Sequence, residues 1–223
     1  RDVERSRGLG DVYKRQFLIG SWCLSVGMQA AKVDTLSVHS DAMNKEVQVI
    51  TICPDKAMAG EKCPVLYLLH GYGGNAGTWL GIKPELPRIA DKEGIIFVCP
   101  DGKNSWYWDS PLNKEYRYET FVSKELVNYI DKNFTTKVER GGRAITGLSM
   151  GGHGSLWLSI RHKDVFGGGG SMSGGLDIRP FPNNWEMKKQ LGEEASNKQR
   201  WDEHTVINQL DKIKNGDLAV IID

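Results

Sequence analysis

The sequence predicts an α/β fold: a mostly parallel, doubly wound sheet in three α/β/α layers. Three observations point to it. Val65–Leu69 (V-L-Y-L-L), Ile95–Cys99, the run around Ala144 and Ile145, and Leu218–Ile222 are continuously apolar, as strands covered on both faces are. Amphipathic helical patterns lie between these runs, which implies right-handed β-α-β units. Ahead of them, Leu36–Val38 and Val47–Cys53 alternate in the manner of an opening antiparallel pair. Composition agrees. The chain has 223 residues, 39% hydrophobic and 26% charged, which excludes a collagen, a disordered tail and a polytopic membrane protein. Lys plus Arg is 29 against Asp plus Glu at 28, a net charge of +1. That balance gives no electrostatic case for nucleic acid or anionic lipid as partner.

Taken in order, Arg1 to Gln16 is highly charged and aperiodic, and it resembles translated adaptor sequence. Phe17 to Ala31 is 15 residues without a charge, short of the roughly 20 a bilayer span needs. It fits the apolar core of a secretion signal ending in small residues, so a secreted or periplasmic location is expected. Cys23 lies within it behind the bulky Trp22, which argues against a lipid anchor. The expected organisation is therefore lead and signal over 1–31 and one domain over 32–223. Cys53 and Cys63 flank a short polar loop and either pair across it or stay as buried thiols. No cysteine or histidine spacing suggests zinc.

Glu119 to Phe134 carries Val122, Leu126, Ile130 and Phe134 at four-residue steps, one face of a helix. Glu119 is expected to cap it. Val206, Leu210 and Ile213 form a similar stripe, stopped by Asn215-Gly216. Gly167–Gly170, before Ser171, is odd for a strand, since each glycine weakens one; close packing of a neighbouring helix is the only account the sequence offers.

Glycine is over-represented, 26 of 223 residues, about 12% against a usual ~7%. Much of it sits in motifs. Gly147-Leu148-Ser149-Met150-Gly151 matches G-x-S-x-G, follows the strand-like R-A-I-T and opens a helix-like run. That is the context a nucleophile elbow requires. A strand turning at once into a helix strains its central residue, and the flanking glycines remove side chains that would collide. Ser149 then stands at the carboxyl edge of the sheet, where helix amides favour negative charge. The second cluster, His70-Gly71-Tyr72-Gly73-Gly74, directly follows V-L-Y-L-L. In this position such a loop supplies one oxyanion-hole amide, the residue after the nucleophile supplying the other. Tyr72 and Met150 are the expected donors, with Gly71 letting the backbone approach substrate. His70 reads as structural.

H-G-Y-G-G, V-C-P-D-G, S-W-Y-W-D-S-P, Y-E-T-F, G-L-S-M-G-G-H-G and G-S-M-S-G-G occur in that order. Together they resemble the putative-esterase family of α/β-hydrolases, which includes S-formylglutathione hydrolases, feruloyl and acetyl-xylan esterases, and mycolyltransferases. The resemblance covers about Val33 to Asp223. It implies a serine nucleophile, no metal or other cofactor, ester or thioester substrates, an acid after a late strand and a His after the last one.

Acid and base should follow Ser149 in that order. Ser149–Asp177–His204 has the order, but His204 falls at the start of an expected helix ahead of the strand L-A-V-I-I. Asp223 ends that strand near the right place. His153 is expected to pack against the sheet, and His162 to face a helix C-terminus. Asp223, Asp177 and His204 are weak stand-ins. The expectation is a domain lacking its last strand and helix, with acid and His beyond Asp223, and little activity in the chain as it stands. The loop Asp101 to Asp109 holds Trp106, Tyr107 and Trp108. Trp106 and Trp108 either form a stacking platform for a sugar or aromatic acyl group or pack beneath the loop as core. Trp185 and Trp201 are expected near the pocket wall. The favoured function is a secreted serine esterase acting on acetyl or feruloyl esters of carbohydrate. The alternatives are a thioesterase of the S-formylglutathione hydrolase kind, an acyltransferase, or a non-catalytic carbohydrate-binding domain.

Overall fold

The computed structural model describes residues 31–223; the expected lead, Cys23 and all but the last residue of the expected signal lie outside them. The strands are β1 (Lys32–Ser40), β2 (Lys45–Cys53), β3 (Val65–Leu69), β4 (Ile96–Pro100), β5 (Arg143–Leu148), β6 (Gly168–Met172) and β7 (Ala219–Ile222). They form one sheet in the order β1-β2-β4-β3-β5-β6-β7. β1 and β2 pair antiparallel, as their alternation predicts, and β2 joins β4 antiparallel. The remaining pairs are parallel. The expected α/β fold is therefore present. The continuous apolar runs of β3, β4 and β5 lie inside the sheet with helices packed on its two faces.

The helices are α1 (Asp55–Met58), α2 (Thr78–Ile82), α3 (Leu86–Glu93), α4 (Tyr118–Thr120), α5 (Val127–Asn133), α6 (Met150–Arg161), α7 (Met187–Leu191) and α8 (Lys198–Glu203). On one face Trp79, Leu86 and Ala90 pack with Ile52, Leu68 and Phe97. On the other, Val122, Leu126 and Ile130 share a cluster with Leu156, Trp157, Tyr67 and Ile145. The predicted helix over 119–134 is real, but its middle, Phe121–Leu126, is π-helical. α4, this segment and α5 run on without a break, and the wider i→i+5 turn still buries Val122, Leu126 and Ile130.

Several expectations change. Val206–Lys212 is a 3₁₀ helix, not an amphipathic α-helix. Three residues per turn put Val206 and Gln209 on one buried face and leave Leu210 exposed. β7 is not covered on both faces: all four of its residues are exposed. It pairs only with β6, and a groove of about 510 Å³ opens beside it, lined in part by Leu66, Ala144, Met172 and Ile221. Of the two states open to Cys53 and Cys63, the structure has the buried free thiols. The glycine run of β6 now has a cause. A Cβ on Gly169 would sit 2.2 Å from Ser159 Oγ on α6, and one on Gly170 2.6 Å from Thr146 Oγ1 on β5. The strand gives up side chains so that α6 can lie close against it.

Candidate functional site

Ser149 stands between β5 and α6 with φ 55° and ψ −114°, a region that costs an ordinary residue about 1–3 kcal/mol. The surroundings enforce it. Its N–H donates to Met172 O at 2.8 Å, and its carbonyl accepts from His153 N–H at 2.9 Å. A Cβ on Gly147 would lie 2.3 Å from Gly151 O, and one on Gly151 2.2 Å from Leu69 O. Only glycine allows β3, β5 and α6 to converge there. The Ser149 residue itself is exposed.

The loop after β3 reaches it. A Cβ on Gly71 would be 3.6 Å from Ser149 Cβ. His70 is buried and structural, as the sequence implies: its Nε2 accepts from Gly102 N–H at 2.8 Å, and its Nδ1 meets Gly71 O at 2.7 Å. Gly73 N–H donates to Asn104 Oδ1 at 2.9 Å. Among the described residues, no turn, loop or cap hydrogen bond is donated by Tyr72 N–H or Met150 N–H. Met150 opens a helix, so its amide has no intrahelical acceptor. Neither expected donor is thus committed to another acceptor; Met150 directly follows Ser149, and Tyr72 lines the same cavity.

A cavity of about 220 Å³ adjoins the serine, lined by Tyr72, Trp106, Ser149 and Gly175, with Ile178, Phe181 and Trp185 among its apolar wall. Trp106 and Trp185 face each other at 6.2 Å. Backbone strain concentrates here. Besides Ser149, positive φ occurs at Lys103, Trp106, Tyr107, Ser173, Trp185 and Glu186, and away from the site, among described non-glycine residues, only at Asn44.

Trp106 lines the cavity, but Trp108 does not. Trp108 is wholly buried and donates through Nε1 to His153 Nε2 at 3.0 Å. Its loop curls inward because the indole N–H finds that buried acceptor. Trp201 is buried beneath α8, donating to Gly192 O at 2.9 Å. Trp185 does reach the wall. Glu119 is not a cap: its buried carboxylate accepts from Trp157 Nε1 at 2.9 Å and Arg161 Nε at 2.8 Å, with His162 Nε2 at 2.9 Å. Burial alone would raise that carboxyl, but the bonds from His162, Arg161 and Trp157 hold it below its ordinary value. His162 is the C-cap of α6, at the helix end expected for it, and its ring meets this carboxylate.

Each of the three stand-ins is either engaged by another side chain or sited away from the cavity. Asp177 borders the cavity, yet Arg179 takes both its oxygens, through Nε at 2.8 Å and Nη2 at 2.9 Å. That pairing lowers the Asp177 carboxyl. Asp223 ends β7 with its backbone tied to Ser171 and Ser173 and does not line the cavity. His204 caps α8, stacks on Trp157 at 5.5 Å and opens on a different cleft. Among the described residues no histidine lines the Ser149 cavity.

A strand, a strained serine turn and a helix on this strand order define an α/β-hydrolase fold. The chain belongs to the esterase family whose model, described as "Esterase: Putative esterase", matches residues 40–223. It is 29% identical over 151 residues to an acetyl esterase of Caldicellulosiruptor saccharolyticus, covering 64% of this chain and 56% of that protein. It is 28% identical over 191 residues to the S-formylglutathione hydrolase of Arabidopsis thaliana, covering 76% of this chain and 66% of that protein. Among solved structures, a ferulic acid esterase superposes with a TM-score of 0.66 at 28% identity, over 84% of this chain and 74% of that one. The fluorophosphonate-binding serine hydrolase F of Staphylococcus aureus shares the fold, with a TM-score of 0.74 at 20% identity, over 86% and 78%. The chain spans only 56% of the acetyl esterase it matches.

Proposed function

We propose that the chain is the α/β-hydrolase domain of a serine carboxylic-ester hydrolase acting through an acyl-enzyme on Ser149. The observation that carries this reading is the strained, exposed Ser149 beside an apolar cavity; the uncommitted Tyr72 and Met150 amides support it. In the proposed reaction Ser149 Oγ attacks the ester carbonyl and gives up its proton to a base. The carbonyl oxygen becomes an oxyanion facing Tyr72 N–H and Met150 N–H, and each such donor is typically worth about 10²–10³ in rate. The alcohol leaves with the proton, and water then hydrolyses the acyl-serine.

The acyl group is held by Trp106, Ile178, Phe181 and Trp185, which suits a planar aromatic acid better than acetate alone. Tyr72, Phe181 and Trp185 remain about two-fifths exposed, at 38%, 44% and 44%. They offer stacking faces to a sugar alcohol, so a feruloyl or acetyl ester of carbohydrate is the proposed substrate. The apolar Phe17 to Ala31 supports action outside the cytoplasm. A thioester substrate is the second reading, supported by the 76% of this chain that aligns with the S-formylglutathione hydrolase.

The base is none of His39, His70, His153, His162 or His204, because each is engaged or sited elsewhere. The 223-residue polypeptide is accordingly proposed to turn over slowly, since losing the base costs roughly 10⁴ or more. Two measurements test the reading. A fluorophosphonate probe should label the natural gene product and leave its Ser149→Ala variant unlabelled; labelling that survives the substitution sinks the nucleophile. For the 223-residue chain, p-nitrophenyl acetate turnover near that of the acetyl esterase would sink the missing-base proposal.

A further inference from the structure

His153 is wholly buried one turn into α6, and the chemistry proposed above makes no use of it. A buried imidazole is costly unless both ring nitrogens are paired, and here both are. Nε2 accepts from Trp108 Nε1 at 3.0 Å, so Nδ1 carries the proton and donates to Gly175 O at 2.8 Å. These partners come from separate loops, one after β4 and one after β6, which are held apart in the sheet by β3 and β5. Both loops border the Ser149 cavity, through Trp106 and Gly175.

The neighbours are shaped to let this side chain bridge them. A Cβ on Gly152 would meet Gly174 Cα at 3.0 Å, and one on Gly154 would meet Tyr107 Cδ2 at 2.3 Å. α6 therefore lies flush against each loop on either side of His153. The rings of Trp106 and Trp108 both stand at 5.2 Å from the imidazole, one at 85° and the other at 84°. Trp106 is fixed on its far side by a bond from Nε1 to Trp185 O at 3.3 Å.

We propose that His153 is a positioning residue, which ties the nucleophile helix to both walls of the acyl cavity and so sets the place of Trp106. The inference rests on reading that cavity as the acyl site. An apolar residue of similar size would fill the space but hold neither loop. Leucine at this position would leave the buried Trp108 indole N–H unpaired, a substantial cost, and would release the half-buried Gly175 carbonyl.

The test uses the 223-residue chain and two readouts. ¹⁵N–¹H spectra report the Trp106 and Trp108 indole groups and the Gly175 amide; tryptophan fluorescence follows titration with methyl ferulate. In His153→Leu the Trp106 and Gly175 resonances should move and the methyl ferulate Kd should rise about tenfold. His153→Gln, which can accept from Trp108 and donate to Gly175, should recover most of both. Should His153→Leu not fold, His153→Asn, too short to reach both partners, should show the same losses. Unmoved resonances and unchanged affinity in a folded Leu or Asn variant overturn the positioning role. Resonances that move in the variants while the unsubstituted chain fails to bind methyl ferulate uphold that role and overturn the acyl-cavity reading.

Discussion

Strand β3, V-L-Y-L-L, and strand β7, A-V-I-I, are close in composition and opposite in surroundings. Val65, Tyr67 and Leu69 of β3 are at most 2% exposed, whereas Val220, Ile221 and Ile222 are 43%, 75% and 62% exposed. β3 has a strand on each side and a helix layer on each face; β7 has one neighbour and an open groove. An apolar run reports only part of a strand's surroundings. It states that a strand can be covered, and the covering element is a separate fact. The contrast also explains where strain is stored. Ser149 can hold a left-handed backbone because β3, β5, β6 and α6 all close upon it, and an edge such as β7 has no packing to enforce such a geometry.

The largest effect of a substitution is expected at the packed end. Gly151→Ala would drive a Cβ to 2.2 Å from Leu69 O and 2.7 Å from His70 O, backbone atoms with nowhere to go. Loss of more than about 4 kcal/mol is expected, a large part of a typical domain's stability. Urea unfolding followed by circular dichroism checks it. The control is Gly81→Ala in α2, where a Cβ meets nothing within 4 Å; it should be neutral or stabilise by up to about 1 kcal/mol. Next in size is Trp108→Ala. It empties a wholly buried site and unpairs His153 Nε2, for an expected loss of about 3–5 kcal/mol. A loss below about 1 kcal/mol would show that the loop after β4 is not core.

Most of the fold was legible because its signals are local. Alternation gave the β1–β2 pair, continuous runs gave β3, β4 and β5, and the glycine spacing around Ser149 gave the elbow. What escaped depended on partners distant in sequence. The inward turn of Trp108 needs His153, 45 residues on. Glu119 reads as a cap until Arg161 and His162, a helix away, arrive at its oxygens. The 3₁₀ winding of Val206–Lys212 follows from which residues its neighbours can cover, and three apolar positions at mixed three- and four-residue spacing did not distinguish it from an α-helix. A signal for Trp185 was present, a tryptophan in a polar stretch, but its strained backbone was not. For the glycines of β6 the sequence offered close packing of a helix, which α6 supplies at Gly169; the need of the Thr146 side chain for room at Gly170 was the part it did not show.

A pH titration probes the packed side without substitution. Burial holds the His153 imidazole down to about 4, with His204 nearby acting in the same direction. Its ordinary value is about 6.5. Between the two, the unfolded chain takes up a proton that the folded one refuses. The stability it contributes is therefore complete above pH ~6.5 and is lost as pH falls towards ~4, in total about 3 kcal/mol. Stability measured by urea unfolding should fall by up to ~1.4 kcal/mol per pH unit across that window. His153→Gln should reduce this slope and leave the share of His204, which burial also holds low and which acts over the same fall in pH. Glu119, held low, adds a loss only towards the acid end and does so in both proteins. An equal slope in the variant would mean that His153 is not the group responsible.

The smallest effect is expected at β7 and is the most telling for the comparison. Ile221 is 75% exposed and pairs through its backbone with Gly170. If an apolar run implied burial, Ile221→Lys would cost several kcal/mol. On the geometry described it should change the stability of the 223-residue chain by no more than about 0.5 kcal/mol. Its effect should fall on association instead, because an exposed apolar strand with free edge groups invites pairing with another chain, and a lysine there opposes it. Sedimentation at increasing concentration should show less self-association for Ile221→Lys than for the unsubstituted chain, with the urea midpoint unmoved. A large drop in stability would mean that β7 is covered in solution, and the contrast with β3 would dissolve.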